Sequence, residues 1–435
     1  VNAHTLFEIG STSKAFTVAL MAMLAEEGKI GWTDRVTSHL PGFRLFDGWV
    51  TQEFMVEDLF CQRSGMPAYS LDDMSALGFD RADIIAALRH VTPVTSARSR
   101  FAYVNNLFLA GARIIELKTG LSWEDNLDRR IFGPLEMTET TTNRELVRQM
   151  GNFSSGHWVL DGPTLWVEPE DWRYRDWLRV YGPAGGIYSN VLDMALWLRA
   201  QLGQTEVAGK PFLQPGSLTY MHSPKILASP GMHGHTACYA SGWIFHAFAP
   251  VPIVWHNGGT AGQHSMVALF PSAGAGIVVL TNTNSNQAAE QIAFRFYDLL
   301  MGNPVEAPHP PAWNELAGVQ FQAGHFFRPA GLKSARPENP GPPLPFDRYE
   351  GRYRNPAYGV FEVRAIAGTL YCLMGPKAVP AILAPLSGNT FELVWPDYPG
   401  KSSLATFEVG AGENAHRLVV DMFADAAGGA FQRVP

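Results

Sequence analysis

Apolar positions recur at helical spacing in three stretches, Lys14–Glu27, Asn106–Lys118 and Val191–Leu202, which predicts a helix over each. Further on, "IVWHNGG", "SMVALFP" and "GIVVLTNT" read as strands. Ser-Ala-Gly-Ala-Gly lies between the last two and signals a hairpin. After residue 346 the pattern changes to short alternating segments punctuated by Gly, Asn and Pro, as in "YEGRYRNPAYGVFEVRAIAGTLYCLMG". That rhythm predicts a small antiparallel β-barrel or sandwich. Prolines gather between the two regions ("NPVEAPHPPAW", "RPENPGPPLPF"), the composition of a stiff linker. The expected organisation is a mixed helix-and-strand domain over 1–302, a linker over 303–346 and a β-barrel over 347–435.

The 435 residues are 46% hydrophobic and 17% charged, enough apolar material for a large core. A net charge of −7 with no Lys/Arg block argues against nucleic acid or an anionic membrane as partner. No apolar run reaches the ~18–20 residues that a membrane-spanning helix needs. Cys61, Cys238 and Cys372 are too few and too scattered for a disulfide framework or a zinc site, which leans towards a reducing compartment.

Candidate chemistry begins at Ser11-Thr12-Ser13-Lys14, just inside the first helix. Ser11 and Lys14 are three residues apart and face the same way. Free N–H groups at a helix start favour a developing oxyanion, and a desolvated Lys14 would be a base towards Ser11. Taken alone, the same four residues also fit an ordinary polar helix start with Ser as its cap. A Ser/Lys enzyme needs a second proton carrier and a strand on the oxyanion side. Tyr103-Val104-Asn105 sits before a helical stretch and supplies a candidate for the first. His256-Asn257-Gly258-Gly259 supplies the second, with glycines that let a ligand backbone come close.

The order Ser-x-x-Lys, Tyr-x-Asn, His-x-Gly resembles the penicillin-recognising serine hydrolases: class C β-lactamases, D,D-peptidases, D-aminopeptidases and family VIII esterases. "DLFCQRSGMP", "IFGPLEMTET", "PAGGIYSNVLDMALWL" and "YASGWIF" resemble further family segments and occur in the family's order, from about Phe7 to Asn284. The resemblance implies an α+β fold, an antiparallel sheet flanked by helices with a helical subdomain. It implies Ser11 as nucleophile, Lys14 as first-step base and Tyr103 as proton carrier. Asn105 would hold the substrate amide, and the N–H groups of Ser11 and Gly259, with Gly258 beside them, would form the oxyanion hole. His256 stands where a Lys is common, so a substrate carboxylate would lose its usual cation. That favours an amidase, peptidase or esterase over an efficient β-lactamase.

The implied activity is hydrolysis of amide bonds in short peptides, including D-residue or nonribosomal ones, with no metal or organic cofactor. Alternatives are an ester hydrolase or weak β-lactamase, a peptide cyclase or acyltransferase using the same acyl-enzyme, and a non-catalytic binding protein. A homo-oligomer is compatible with all of them. Family members carry some tens of residues before the Ser motif where this chain has ten, so a preceding segment of the same polypeptide is expected. Trp158, Trp166, Trp172 and Trp177, with Glu168, Glu170 and Asp171, read either as a pocket wall or as pins for a long loop. His233 and His235 lack further ligands and read as a surface loop. "YEGRYRNPAYGVFEV" resembles the lipocalin-like barrel appended to some peptidases of this superfamily, a barrel that need not hold a lipid.

Overall fold

The computed structural model describes residues 1–159, 165–229, 236–247, 251–283, 288–302, 339–398, 400–410 and 412–435. Most of the proline-rich segment, and His233 and His235, lie outside them. A 3₁₀ turn, Gly10–Ser13, leads directly into helix α1 (Lys14–Glu26). Lys14 to Leu24 are all buried, as expected of a helix apolar on every side. It packs beside α2 (Asn106–Thr119), and Phe16 stacks at 3.8 Å on Trp197 of α3 (Val191–Gln201). The three helices expected from periodicity thus form the interior of the helical layer, each ending within one residue of its expected end.

The sheet has six antiparallel strands in meander order: β1 (Ile226–Ser229), β2 (Thr236–Tyr239), β3 (Ile244–Ala247), β4 (Ile253–Gly259), β5 (His264–Phe270) and β6 (Ala275–Thr281). Register pairs His256 with Val267 and Gly259 with His264. The hairpin expected between β5 and β6 closes through a 3₁₀ turn, Pro271–Ala273. Helix α4 (Ala288–Leu300) turns Ala289, Ala293, Phe294 and Tyr297 inward and packs on β5 and β6. Strand β4 is buried on both faces because α4 covers one side and the 3₁₀ turn before α1 presses on the other. This is the α+β arrangement expected from the sequence.

The C-terminal region closes into an eight-stranded antiparallel barrel running from β7 (Gly351–Asn355) to the strand Ala430–Val434, which pairs back onto β7. Its interior is filled by Tyr349, Phe361, Phe391, Phe407, Phe423 and Phe431, with Phe361 and Phe431 stacked at 4.4 Å. It is a packed core rather than a lipid cup.

The barrel docks on the helical layer through specific polar contacts. Leu71 N donates to the Asp425 carboxylate at 2.6 Å, and Thr92 N to the Asp425 carbonyl at 3.0 Å. Trp172 Nε1 donates to the Asp397 carbonyl at 2.8 Å, and the Tyr174 hydroxyl to the Pro396 carbonyl at 2.8 Å. Lys401 pairs with Asp73. An aromatic cluster seals the junction: Trp172 and Trp158 lie 5.0 and 5.7 Å from Tyr398, and Tyr174 lies 5.4 Å from Trp395.

Candidate active site

Ser11 sits in the 3₁₀ turn with its side chain half-buried. Gly10 makes the turn possible with φ +52°, in the left-handed region. A Cβ on Gly10 would stand 2.8 Å from Gly259 N, and one on Gly258 would stand 2.8 Å from Ser11 N. These two glycines let β4 lie close against the Ser11 turn. Ser265 and Thr12 both donate to the Ile9 carbonyl, at 2.6 and 2.8 Å, and fix the turn from beneath.

Lys14 is wholly buried. Its Nζ lies 2.9 Å from Ser11 Oγ and 2.8 Å from the Ala184 carbonyl, and 4.7 Å from the centre of the Tyr103 ring. Burial drives its pKa well below the ordinary lysine value, with Asp72 opposing. Tyr103 is buried beside it, and burial pushes its phenol well above the ordinary value. Tyr239 adds to that rise, while the Ser11 hydroxyl acts in the opposite sense. Desolvation therefore favours the uncharged form of both groups. An uncharged lysine is a base and an uncharged tyrosine is an acid, so the environment separates the two roles.

Asn105 is anchored by donating from Nδ2 to Asp72 Oδ2 at 2.5 Å. Tyr103 is held by its backbone: its carbonyl accepts from Tyr69 N at 2.7 Å, and Val104 N donates to Gln62 Oε1 at 2.6 Å. His256 lies in the wall formed by β4, with its ring 6.2 Å from that of Tyr103. Its Nδ1 faces the Asn257 carbonyl at 2.5 Å and its Nε2 faces the Tyr239 hydroxyl at 3.0 Å. A carbonyl can only accept, so Nδ1 carries the proton and Nε2 accepts from Tyr239. Burial pushes this imidazole down to about 3, Lys14 adding to the shift and the Asn257 carbonyl opposing it. His256 is a neutral, supported wall residue rather than a part-charged anchor.

The tryptophan segment does both of the jobs expected of it. Trp158 and Trp172 pin it to the barrel, and Trp172 and Trp177 also line a cavity beside the Ser11 turn. Of its three carboxylates only Glu168 lines that cavity; Glu170 and Asp171 are exposed, Glu170 pairing with Arg148 at 2.9 Å.

Comparison with known proteins follows this geometry. Residues 1–300 match the family model described as Beta-lactamase. The chain belongs to the beta-lactamase family. Residues 335–431 match a domain of unknown function, DUF3471, which coincides with the barrel. Among curated relatives, an unguisins hydrolase of Aspergillus campestris is 28% identical over 82% of this chain and 68% of its own. Penicillin-binding protein 4 of Amycolatopsis lactamdurans is 26% identical over 74% of this chain and 80% of its own. Among solved structures, an octameric penicillin-binding protein homologue from Pyrococcus abyssi superposes with a TM-score of 0.62, at 21% identity, over 96% of this chain and 87% of that one. A class C beta-lactamase gives 0.56 at 21% identity, over 70% and 84% of the two chains. D-amino acid amidase from Ochrobactrum anthropi gives 0.53 at 20%, over 66% and 79%. These structures confirm the beta-lactamase-like fold.

Gln62, Ala184 and Tyr239, which support the site, lie in segments quoted above for the resemblance but were given no role there, and Asp72 lies in none of them. Asp72 lies in "SLDDM", which matches no motif. Among the described residues no group of His, Cys, Asp and Glu could hold a metal ion, and no helix is long and apolar enough to cross a membrane.

Proposed function

We propose that this protein is a serine hydrolase that cleaves amide bonds of short peptides through an acyl-enzyme on Ser11. The observation that carries the reading is the buried, charge-disfavoured Lys14 at 2.9 Å from Ser11 Oγ. Ser11 Oγ attacks the carbonyl carbon while its proton passes to Lys14. The N–H groups of Ser11 and Gly259 receive the oxyanion. Collapse of the tetrahedral adduct breaks the C–N bond, and the leaving amine takes a proton through Tyr103, which Lys14 restores. Water then attacks the ester with the same groups in reverse order. Asn105, braced by Asp72, holds the substrate amide.

Two observations favour an amide substrate over a penicillin-type lactam. A neutral His256, already engaged with Tyr239 and Asn257, gives no charge to a substrate carboxylate. A curated relative is an unguisins hydrolase, and a protein of similar fold is a D-amino acid amidase. The test is intact mass after a fluorophosphonate probe, wild type against Ser11→Ala, followed by turnover of peptide amides, p-nitrophenyl esters and nitrocefin. A single adduct that Ser11→Ala removes, with turnover of amides ahead of esters and nitrocefin, is the expected outcome. An adduct on another residue would overturn the nucleophile, and ester-only turnover would overturn the substrate class.

A further inference from the structure

The cavity beside Ser11 is built from two parts of the chain far apart in sequence. The helical layer and the tryptophan segment give Asp72, Glu168, Trp172 and Trp177; the barrel gives Tyr398 and Lys401. Thr260 and Ala261, which directly follow Gly259, also line it, so it opens from the end of the oxyanion strand.

Two buried carboxyls on this cavity each have an oxygen with no hydrogen-bond partner among the described residues. Asp72 is 1% exposed; Asn105 donates to its Oδ2, and Oδ1 is the oxygen without a partner there. Glu168 is 5% exposed; its Oε1 lies 2.8 Å from Arg175 Nη2, and Oε2 is the oxygen without a partner there. Leaving such an oxygen buried and unpaired is costly, more so for a charged group. Nearby cations are already committed. Arg175 is shared between Glu168 and Glu8, at 2.8 and 3.3 Å, and Lys401 pairs with Asp73. Three carboxyls, Glu8, Glu168 and Asp73, thus stand in contact with two cations; among the described residues Asp72 pairs with neither, while Arg144 acts on Glu168 and Lys14 on Asp72 from further off. In keeping with this, burial pushes the Glu168 carboxyl up to about 9, Glu8 adding to it against Arg175 and Arg144, and holds Asp72 well above its usual range.

We propose that this cavity is a substrate subsite for an ammonium group carried next to an apolar or aromatic moiety. The ammonium supplies the donors that Asp72 Oδ1 and Glu168 Oε2 lack. Trp172, Trp177 and Tyr398 take the apolar part, and aromatic faces also attract the cation. Because Tyr398 and Lys401 come from the barrel, the barrel completes the subsite and helps set specificity. The inference deepens the amide-hydrolase reading and rests on it for the word substrate, but the binding it describes can be measured without turnover.

The experiment is calorimetric titration of the full chain with 2-phenylethylamine and with its N-acetyl derivative. The amine is expected to bind at least tenfold tighter, and Glu168→Gln to erase most of that preference. Phenylalanine amide against Nα-acetyl-lysine amide then separates a peptide N-terminus from a basic side chain as the source of the ammonium. Equal affinity for amine and acetylated amine in the wild type would overturn the proposal, whether or not the variant folds. A preference that Glu168→Gln leaves intact, in a variant with unchanged melting temperature, would overturn it as well. Probe labelling of Ser11 reports on the acyl-enzyme separately, so failure of either reading is visible without the other.

Discussion

Lys14 Nζ and Ser11 Oγ stand 2.9 Å apart in a pocket where Lys14 is fully buried and, among the described residues, its other hydrogen-bond partner is a neutral carbonyl, that of Ala184. A lysine placed as a surface ion pair would be held charged; this one is held close to losing its proton. Lys14→Arg tests the difference, because a guanidinium can donate to Ser11 but stays protonated. We expect kcat/KM on a peptide amide to fall by about 10²–10⁴-fold, the usual worth of a general base. Ser11→Ala should fall further, by at least ~10⁴-fold. An Lys14→Arg enzyme within a few-fold of wild type would remove Lys14 from the base role.

The pH profile carries the sign of the Lys14 shift. Burial lowers its pKa and Asp72 raises it again. If the free base is the active form, kcat/KM rises with pH as Lys14 deprotonates and levels off well below the ordinary lysine pKa of 10.5. Asp72→Asn removes the group that favours the ammonium, so the rising limb should move to lower pH. A limb that stays put, or moves upward, would show that another group controls it.

Tyr103→Phe keeps the ring that stands 4.7 Å from Lys14 and removes only the hydroxyl. Since burial keeps that phenol protonated, its expected part is proton delivery to the leaving amine. The loss should be about 10²-fold or more on an amide, whose leaving group needs a proton. It should be smaller on a p-nitrophenyl ester, whose leaving group does not. Equal losses on both substrates would argue for a purely structural role.

The nucleophile motif and the strand "IVWHNGG" were legible because they combine local chemistry with local periodicity. Strand β4 covers the residues quoted from sequence, Ile253–Gly259. The barrel was legible as a rhythm of short alternating segments punctuated by Gly, Asn and Pro. Asp72 was not legible, because its role is made by tertiary packing. Its loop is held by Leu71 N donating to Asp425, 354 positions away, and by the Asp73–Lys401 pair across 328 positions. No pattern within a window of sequence records such contacts. His256 shows the opposite failure. Its place in the motif was readable, but its charge state depends on the depth of its burial and on Lys14, which only the fold brings near it.

That buried imidazole makes a stability prediction. His256 is pushed from 6.5 down to about 3 in the folded chain, and the half-buried His222 to about 4. Between those values and 6.5 the unfolded chain binds more protons at these two positions than the folded one, so their contribution to stability falls as pH falls through that window, while the raised carboxyls of Glu168 and Asp72 act in the opposite sense. Thermal unfolding of the wild type and of His256→Gln from pH 7 to pH 4 isolates the His256 part. The variant, whose amide can keep both a donor for the Asn257 carbonyl and an acceptor for Tyr239, should lose less Tm over that range than the wild type. An unchanged slope would mean that the folded chain lets His256 take up a proton at little cost. The same neutrality predicts no kinetic limb near 6.5 from His256.

Gly258 offers the sharpest test of the oxyanion geometry. A Cβ there would meet the Ile9 carbonyl oxygen at 2.1 Å and Ser11 N at 2.8 Å, and both are backbone atoms that cannot swing aside. Gly258→Ala must therefore push β4 away from the Ser11 turn and part the N–H groups of Ser11 and Gly259. Loss of one such donor costs about 10²–10³-fold in kcat. The expected signature is a fall of that size in kcat with native far-UV circular dichroism and a slower reaction with the fluorophosphonate probe, which needs the same oxyanion site. Gly42→Ala, where nothing lies within 4 Å of the added Cβ, is the matched control and should leave kcat unchanged. A Gly258→Ala enzyme that kept full kcat would show that the two strands separate without consequence, and would move the oxyanion site elsewhere.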